Sequence, residues 1–311
     1  MSDDVVFINA RTCGIYKSGG IRYKTDVATG KRTGEVDDEL NDLVDGYLAR
    51  RSSPAIRRVD LREVWARRIL VPTYFDRRYE AGFESLKGKL GWDETTIGKL
   101  ERDGVIRVRG GHGSPGNDQR KGHIPYVKVS DIRGLRVNIN PTNLVSDGVA
   151  RKYWRGDKSG LEAFDLITPN RASSNIGEFA VLLPGEEQVV LTKEMFVFRV
   201  EKDGDGVWDA FSLFWALCLR ATREQWRRIA LMQTNREDCG QRYREIRLPV
   251  PPSRKEALEA SKAFRSYFKT IASAMERFRG EVGHDPDRYI ASVVGGLTDG
   301  DAYPDASGEE P

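Results

Sequence analysis

The segment from residue 110 to residue 132 reads GGHGSPGNDQRKGHIPYVKVSDI. A glycine-rich polar loop runs here into a strand that begins at Ile124. Glycines in such a loop allow the backbone to approach a ligand closely, because they lack a Cβ atom. They are Gly110, Gly111, Gly113 and Gly116.

The same loop carries side chains whose donors and acceptors suit base edges and phosphate groups. These are His112, Ser114, Asn117, Gln119, Arg120 and Lys121. An ordinary surface loop explains them equally well on residue chemistry alone. A nucleotide phosphate loop is excluded, because the G-x-x-x-x-G-K-[ST] spacing is absent here and TDVATGKRT, residues 25–33, lacks the first glycine.

The charge of the chain is unevenly distributed. The formal net charge is +3, but residues 281–311 contain eight acidic residues and one arginine, so residues 1–280 carry +10 by difference. A basic body suits a polyanionic partner, although such charge also serves solubility alone. The acidic tail, with its Gly, Pro and Ser, is predicted to be largely disordered.

The sequence predicts a cytoplasmic protein without a membrane partner. No apolar run approaches the roughly 18 residues that span a bilayer, and MSDDVVFINA is acidic where a signal peptide is basic. Cys13, Cys218 and Cys239 are widely spaced and without a nearby histidine, so we expect free thiols and no metal site. Cys218 lies in the apolar run FSLFWALCL and is expected in the core.

Five segments are predicted along the chain. They are a β-hairpin and acidic helix at 1–50, a basic linker at 51–78, a recognition domain at 79–252, a heptad helix at 253–280 and the acidic tail at 281–311. In the first, VVFINA and GIRYKT are expected to pair across a Lys-Ser-Gly-Gly turn, and the helix is expected from Glu35 to Leu48.

The central segment alternates strand and helix patterns. VIRVR, IPYVKV and MFVFRV read as strands, and a helical region is expected from Asp209. The fold class is therefore α/β, or mixed α+β. The last helix begins at a capping box, Ser253 with Glu256.

Apolar residues of that last helix recur in two heptad rows. The rows are Ala257, Phe264, Ile271 and Phe278, and Ala260, Tyr267 and Ala274, with Phe268 and Met275 widening the stripe. Such a helix packs on its own domain or forms a coiled coil with a partner, and the pattern leaves both open.

The order of several motifs resembles the target recognition domain of type I restriction-modification specificity subunits. The loop ends in G-x-I-P-Y-V-K-V-S-D-I, from Gly122 to Ile132. FDLITPNRASSNIGEFAVL from Phe164, LTKEMFVFRV, WDAFSLFWAL and ALMQTNREDCGQRYREIRLPVP from Ala230 follow in the family's order, and the helix from Ser253 stands where those subunits carry a spacer helix. The resemblance covers roughly residues 105–278.

The resemblance implies a DNA-binding α/β domain whose loops face the major groove. The side chains it assigns to DNA are Arg109, His112, Ser114, Asn117, Gln119, Arg120, Lys121, Lys128, Ser130, Arg171, Ser173, Ser174, Asn175, Gln233, Thr234, Asn235, Arg236, Arg242 and Tyr243. Asp131 and Glu245 are better explained as loop-capping or ion-pair groups, since carboxylates repel phosphate. Tyr126 is expected to be half in the core.

The chain departs from full-length specificity subunits, which carry two recognition domains and two helices where we find one of each. The resemblance therefore leaves two alternatives: self-association through the heptad helix, or recognition of a single short site.

The N-terminal segment resembles the end of the catalytic domain of N6-adenine DNA methyltransferases. VVFINARTCGIYKSGGIRYKTD followed by DDELNDLVDGYL carries that likeness. The [DNS]-P-P-[YFW] tetrapeptide is missing, since Asn140-Pro141 is followed by Thr142, as is the glycine-rich turn for S-adenosylmethionine. We therefore expect no catalytic residue, cofactor or metal in this chain, and a partner methyltransferase that binds S-adenosylmethionine, with residues 1–50 completing or clamping it. A restriction subunit is a further expected partner.

Two alternatives remain beside this interpretation. A metal-dependent DNA nuclease is disfavoured, because no D…[DE]-x-K array is evident and His112, His123 and His284 form no paired metal motif. A protein-interaction module, such as the C-terminal fragment of a split methyltransferase, needs no DNA contact; its basic surface would bind an acidic protein or the chain's own tail.

Overall fold

The computed structural model describes residues 4–282 except 17, 139, 141, 203–205 and 234–235, and it gives no side-chain environment for 232, 233, 236, 237 and 282. The tail from 283 onward, predicted to be disordered, lies outside the described residues. None of the described helices is long and apolar enough to cross a membrane.

The strands are short and spread along the whole described chain. They are β1 Asp4–Ile8, β2 Tyr23–Thr25, β3 Arg32–Val36, β4 Ile56–Asp60, β5 Asp93–Thr96, β6 Ile106–Gly110, β7 Ile124–Val127, β8 Ile132–Arg133, β9 Arg136–Val137, β10 Leu144–Val145, β11 Leu166–Pro169, β12 Ala180–Val181, β13 Val190–Leu191, β14 Met195–Val200, β15 Leu231–Gln233, β16 Arg236–Asp238 and β17 Arg247–Val250.

Helices alternate with these strands. They are α1 Leu40–Leu48, α2 Leu61–Arg67, α3 Pro72–Phe75, α4 Arg78–Leu90, α5 Ile97–Arg102, α6 Asp147–Trp154, α7 Ala210–Cys218, α8 Arg220–Ile229 and α9 Arg254–Val282. The predicted mixed α/β class, with small N-terminal strands and a long C-terminal helix, is confirmed.

A six-stranded sheet in the order β6-β14-β11-β12-β9-β8 organises the central unit, residues 79–252. Its inner strands β11, β12 and β14 carry consecutive apolar residues because both faces of the sheet are covered there. Leu166 and Phe198 lie in the core cluster beneath α7 and α8, whereas their neighbours Ile167 and Val197 lie in a second cluster on the other face. That second face is covered by the small sheet β10-β7-β13, on which α6 packs in turn.

The predicted helical region from Asp209 divides into α7 and α8. Asp209 caps α7, since its carboxylate accepts the backbone N–H groups of Phe211 and Ser212 at 3.0 and 2.9 Å. Leu219 adopts an extended conformation and ends α7. The break redirects α8 so that Trp226, fully buried, packs edge-on against Phe179.

The long helix α9 packs on its own domain. Phe264 and Phe268 contact Phe214 of α7 at ring centroid distances of 5.2 and 5.3 Å. The second buried row is therefore the one with Phe268, and the expected row is wrong at Tyr267, which is 57% exposed. The reason is tertiary: Phe264 and Phe268 lie on the side of α9 that packs against α7, whereas Tyr267 lies on the exposed side. A coiled coil with a partner stays a prediction.

The N-terminal pairing predicted from sequence is wrong. The first strand, β1, pairs antiparallel with β4, placing Val6 opposite Arg58, and β2 forms its hairpin with β3 instead. Near the predicted turn, Ile15 and Ile21 form an isolated bridge. The acidic helix begins at Leu40, five residues later than expected, because the residues around Glu35 extend β3.

The segment 51–78, interpreted as a linker, is structured. It forms β4, α2 and α3, and its apolar residues Val59, Val64 and Tyr74 belong to the core cluster of the central unit. Phe75 stacks on Phe7 of β1 at 4.0 Å between ring centroids. The many arginines hid this pattern, because they occupy the exposed positions between the buried ones. We call residues 4–78 the N-terminal unit.

Candidate nucleic-acid interface

The glycine-rich loop lies against the turn between β13 and β14. Backbone N–H groups of Gly111 and Gly113 donate to carbonyl oxygens of Met195 and Leu191 at 2.9 and 3.0 Å. A Cβ atom on Gly111 would stand 2.0 Å from the carbonyl oxygen of Thr192. These glycines therefore serve close packing of the loop on its own domain, which corrects their expected role in approaching a ligand.

The side chain of His112 anchors this loop to the domain through two hydrogen bonds. Its Nδ1 accepts the N–H of Leu191 at 2.9 Å, and its Nε2 lies 2.9 Å from the carbonyl oxygen of Ser159, to which it donates. Burial lowers the pKa of His112 below its usual value, which favours the neutral ring that this pairing needs. Both ring nitrogens are engaged, so His112 is placed as a structural residue and not as a base contact.

Arg120 and Lys128 flank Tyr126. The guanidinium of Arg120 lies 5.3 Å from the tyrosine ring centroid and donates to the carbonyl oxygen of Pro115. Lys128 Nζ lies 5.9 Å from the same centroid and donates to Asn143. Tyr126 itself is only 3% exposed, so it is core and not half core as expected. The two cations are held in place by the fold while part of each side chain remains accessible.

The outer part of the loop presents polar groups to solvent. Ser114, Asn117 and Lys121 are exposed, and the Ser114 hydroxyl also lies 3.0 Å from Thr192 Oγ1. Gln119 faces inward, where its side-chain oxygen accepts the N–H of Gly116 at 3.1 Å and the Tyr153 hydroxyl at 3.3 Å. Gln119 therefore shapes the loop, and its neighbours remain available for a ligand.

A second loop, residues 170–175, lies beside the segment 128–132. Asn175 is buried, and its amide donates to the carbonyl oxygen of Val129 at 2.7 Å. Ser173 donates to Asn175. Ser174 is exposed, as is Ser130 across the contact. Asn175 thus ties the two segments together, and the serines face outward.

The β15–β16 hairpin joins the same region. Arg171 forms an isolated backbone bridge with Asp238, and the N–H of Cys239 donates to the carbonyl oxygen of Asn170 at 2.9 Å. Gln233 and Arg236 are paired at the end of the hairpin. Two further candidates between them, Thr234 and Asn235, lie outside the described residues.

Three of the expected contact residues are hydrogen-bonded within the protein itself. Arg242 donates to carbonyl oxygens of Ile229 and Asp238 at 2.9 and 2.8 Å. Tyr243 is buried against Phe196, and its hydroxyl donates to Glu101. Arg109 donates to the carbonyl oxygen of Gly160 at 2.8 Å, and burial lowers its pKa. Tyr243 is thereby withdrawn from the surface, whereas the two arginines are half-buried and anchored by their hydrogen bonds.

The turn Thr192–Glu194 connects these parts. Thr192 contacts Ser114 on one side, and on the other side Glu194 forms an ion pair with Arg171 at 2.5 Å. Lys193 stands exposed between them. We call the assembled region the recognition surface; it comprises 112–121, 128–130, 170–175, 192–194, 231–233 and 236–238. Lys193 was missed because it sits in LTKEMFVFRV, which reads as a strand.

Helix α6 was not expected from the sequence pattern. Its Tyr153 hydroxyl lies 3.3 Å from the carbonyl oxygen of Ser114, which places the helix against the loop. Lys152, Arg155 and Lys158 are exposed here, and no ion pair of theirs occurs in the part of the chain that the structure describes. The signal available was composition: ARKYWRGDK concentrates cations around two aromatic residues.

The expected structural carboxylates are confirmed. Asp131 accepts the N–H of Lys128 at 2.7 Å, and Glu245 accepts the Tyr74 hydroxyl at 2.6 Å. The three cysteines are free thiols, and burial raises the pKa of Cys239 to about 12, so this thiol is unreactive. Among the described residues, no three His, Cys, Asp or Glu side chains are grouped to hold a metal ion.

These features define a mixed α/β domain with polar loops on one side and a long closing helix. No family model and no curated protein sequence matches the chain. Similar solved structures include the S subunit of a type I restriction-modification system from M. genitalium, at 13% identity and a TM-score of 0.38, covering 65% of this chain and 47% of that one.

Two further structures belong to the same kind of system. The HsdS subunit from Thermoanaerobacter tengcongensis shares 14% identity at a TM-score of 0.36, covering 66% of this chain and 44% of that chain. A structure described as the basis of assembly and conformational transition of the type I R-M system shares 14% identity at a TM-score of 0.36, with 82% and 57% covered. This chain spans about half the length of each of these solved structures.

Proposed function

We propose that this chain is a non-catalytic DNA specificity subunit that directs a partner N6-adenine methyltransferase in a restriction-modification or related defence system. The observation that supports it is the meeting of separate polar segments around the turn Thr192–Glu194. Segments distant in sequence converge there on one side of a doubly covered sheet, which holds them rigidly while their tips stay exposed.

The exposed groups of the recognition surface divide by chemistry. Asn117, Ser114 and Ser130 carry neutral donors and acceptors suited to base edges in the major groove. Lys121 and Lys193 carry mobile cations suited to phosphates. The cations of α6 extend the positive region beside the loop. This division predicts sequence preference from the first group and salt-dependent affinity from the second.

Docking to protein partners is assigned to the two ends of the described chain. Large exposed apolar side chains concentrate there. They are Ile15, Tyr16, Ile21, Val27, Val36, Leu40, Val44, Tyr47, Leu48, Leu61 and Leu70 in the N-terminal unit, and Leu258, Tyr267 and Phe278 on α9. In this proposal the methyltransferase binds the N-terminal unit and holds S-adenosylmethionine, while α9 serves a restriction subunit or a second copy of this chain.

Fluorescence anisotropy with a random-sequence duplex tests the proposal, using the chain alone and co-expressed with the methyltransferase subunit. Affinity is expected to fall steeply with added salt and to tighten for particular sequences in the complex. Absence of DNA binding in both preparations would overturn the proposal. DNA cleavage by the isolated chain with a divalent metal would establish the nuclease alternative.

One observation favours a pure interaction module: the exposed apolar side chains of the N-terminal unit can bind a protein partner whether or not the chain binds DNA. Co-purification distinguishes it from the main proposal. A chain that captures the methyltransferase but leaves the affinity of the complex for DNA unchanged is an interaction module only.

A further inference from the structure

Helix α2 carries an unusual exposed face. Trp65 is 72% exposed, Arg62 lies three residues before it on a neighbouring position of the helix surface, and Arg68 caps the end of the same helix. Both arginines are exposed, as is Arg58 in the strand that leads into the helix. We call these four residues the α2 basic face. A large aromatic side chain left in water among cations is typical of a binding surface.

The carboxylates of the helix are engaged elsewhere. Glu63 binds Arg67 at 2.9 Å, and Asp60 caps the helix by accepting the N–H of Arg62 at 2.7 Å. Within the described part of the chain, no ion pair involves Arg58, Arg62 or Arg68. The face therefore has an excess of positive charge that its own fold does not neutralise.

Backbone geometry adds a second observation. Arg68 ends α2 in the left-handed conformation, with φ of +54°, and its N–H donates to the carbonyl oxygen of Val64 at 2.8 Å. Glycine ordinarily occupies such a helix end because it adopts this conformation without strain. Arg155 ends α6 beside the recognition surface in the same way, with φ of +59°.

The N-terminal unit holds this face in a fixed relation to the central unit. Phe7 stacks on Phe75, and the Tyr74 hydroxyl donates to Glu245 of the central unit at 2.6 Å. Val64, on the inner side of α2, belongs to the core shared by both units. The face therefore does not move independently of the recognition surface.

We propose that the α2 basic face binds the phosphate backbone of duplex DNA outside the sequence that the recognition surface reads. The occupant is identified by charge: arginines without carboxylate partners match phosphate oxygens, and the Trp65 ring packs on the sugar backbone. This rests on the proposed function. It adds a contact that lengthens the bound duplex and raises affinity without changing sequence preference.

The test compares duplexes of about 15 and about 45 base pairs centred on the same preferred sequence, since one base pair spans about 3.4 Å. The triple variant Arg58→Gln, Arg62→Gln, Arg68→Gln is expected to lower the slope of log affinity against log salt by about 0.9 for each phosphate that the face no longer binds. This decrease is expected on the long duplex only. Trp65→Ala is expected to weaken long-duplex binding with the slope unchanged.

A matched control removes the same charge elsewhere. Lys255→Gln, Lys262→Gln, Arg277→Gln changes exposed cations of α9 and is expected to leave both slopes near those of the natural chain. Thermal unfolding confirms that each variant is folded. The inference is overturned if the triple variant behaves like this control, or if it binds DNA normally but no longer co-purifies the methyltransferase, which would identify a protein-docking face.

The same measurements distinguish failure of the proposed function from failure of the α2 proposal. If the natural chain and its complex bind neither duplex, the specificity-subunit proposal fails and the α2 proposal with it. If they prefer a sequence but bind both duplex lengths equally well, the specificity proposal stands and the α2 proposal is wrong.

Discussion

The central unit and the N-terminal unit treat apolar side chains in opposite ways. In the central sheet, Leu166 and Phe198 are buried on one face and Ile167 and Val197 on the other. In the N-terminal unit, helix α1 turns Leu40, Val44, Tyr47 and Leu48 outward, and Leu48 is 71% exposed. The central sheet buries its apolar side chains within the protein, whereas helix α1 leaves apolar side chains exposed to solvent.

The packing of α1 against β4 explains why the apolar side chains on its other side are exposed. Gly46 faces β4, where a Cβ atom would stand 2.7 Å from Ile56 Cδ1, so the helix lies as close to the strand as it can. Leu43 is buried on the same side. The apolar residues of the opposite side are left for another surface, which supports the docking role proposed for this unit.

The largest expected effect contrasts two tryptophans. Trp226→Ala empties a fully buried site in the central unit and is expected to cost about 3 to 5 kcal/mol of unfolding free energy. Trp65→Ala on the N-terminal unit is expected to cost less than about 0.5 kcal/mol, because its ring is in water. Urea unfolding of both variants measures the difference. Equal losses would show that Trp65 is covered in solution.

Replacing the exposed apolar residues of α1 tests whether this helix docks the methyltransferase. The double variant Val44→Ser, Leu48→Ser is expected to weaken methyltransferase binding by about 2 to 4 kcal/mol, because apolar area no longer leaves water on docking. Co-purification at low concentration measures this. Leu258→Ser on α9 is the comparison variant, and a loss confined to it would place docking on α9. Point variants are preferable to deleting residues 1–50, since β1 pairs with β4 and that deletion would damage the fold.

Two polar residues of one loop separate base recognition from phosphate binding. Asn117→Ala is expected to cost about 1 to 3 kcal/mol for the preferred sequence only, if its amide contacts a base. Lys121→Ala is expected to weaken all sequences alike and to lower the salt slope by about 0.9. Competition binding with single-base variants of the duplex distinguishes the two. A uniform loss for Asn117→Ala would remove it from base recognition.

The smallest expected effect is a pH dependence at His112. Because its folded pKa lies below the ordinary value of about 6.5, its contribution to stability is complete above that pH and declines as pH falls toward the folded pKa. Unfolding free energies between pH 8 and pH 5 are expected to show this decline, and His112→Asn to reduce it. An unchanged slope in the variant would assign the effect to other groups.

Part of the site was predictable because it depends on local chemistry. Loop position, glycine content and the exposed groups of Asn117 and Lys121 follow from turn residues between two apolar runs. Asp131 as a loop cap follows the same logic. In contrast, His112, Asn175 and Tyr243 have polar groups that suit DNA equally well. Only the tertiary structure shows that these groups form hydrogen bonds inside the protein and are therefore not available to DNA.

Residue types and their short spacing were enough to predict the mixed α/β class, the start of α9 at its capping box, and the uneven charge of the chain. Tertiary structure alone decided that β1 pairs with β4, that α9 turns Phe268 and not Tyr267 inward, and that Lys193 joins the recognition surface. Each of those outcomes depends on contacts between residues far apart in the chain, whose free energy no local pattern encodes.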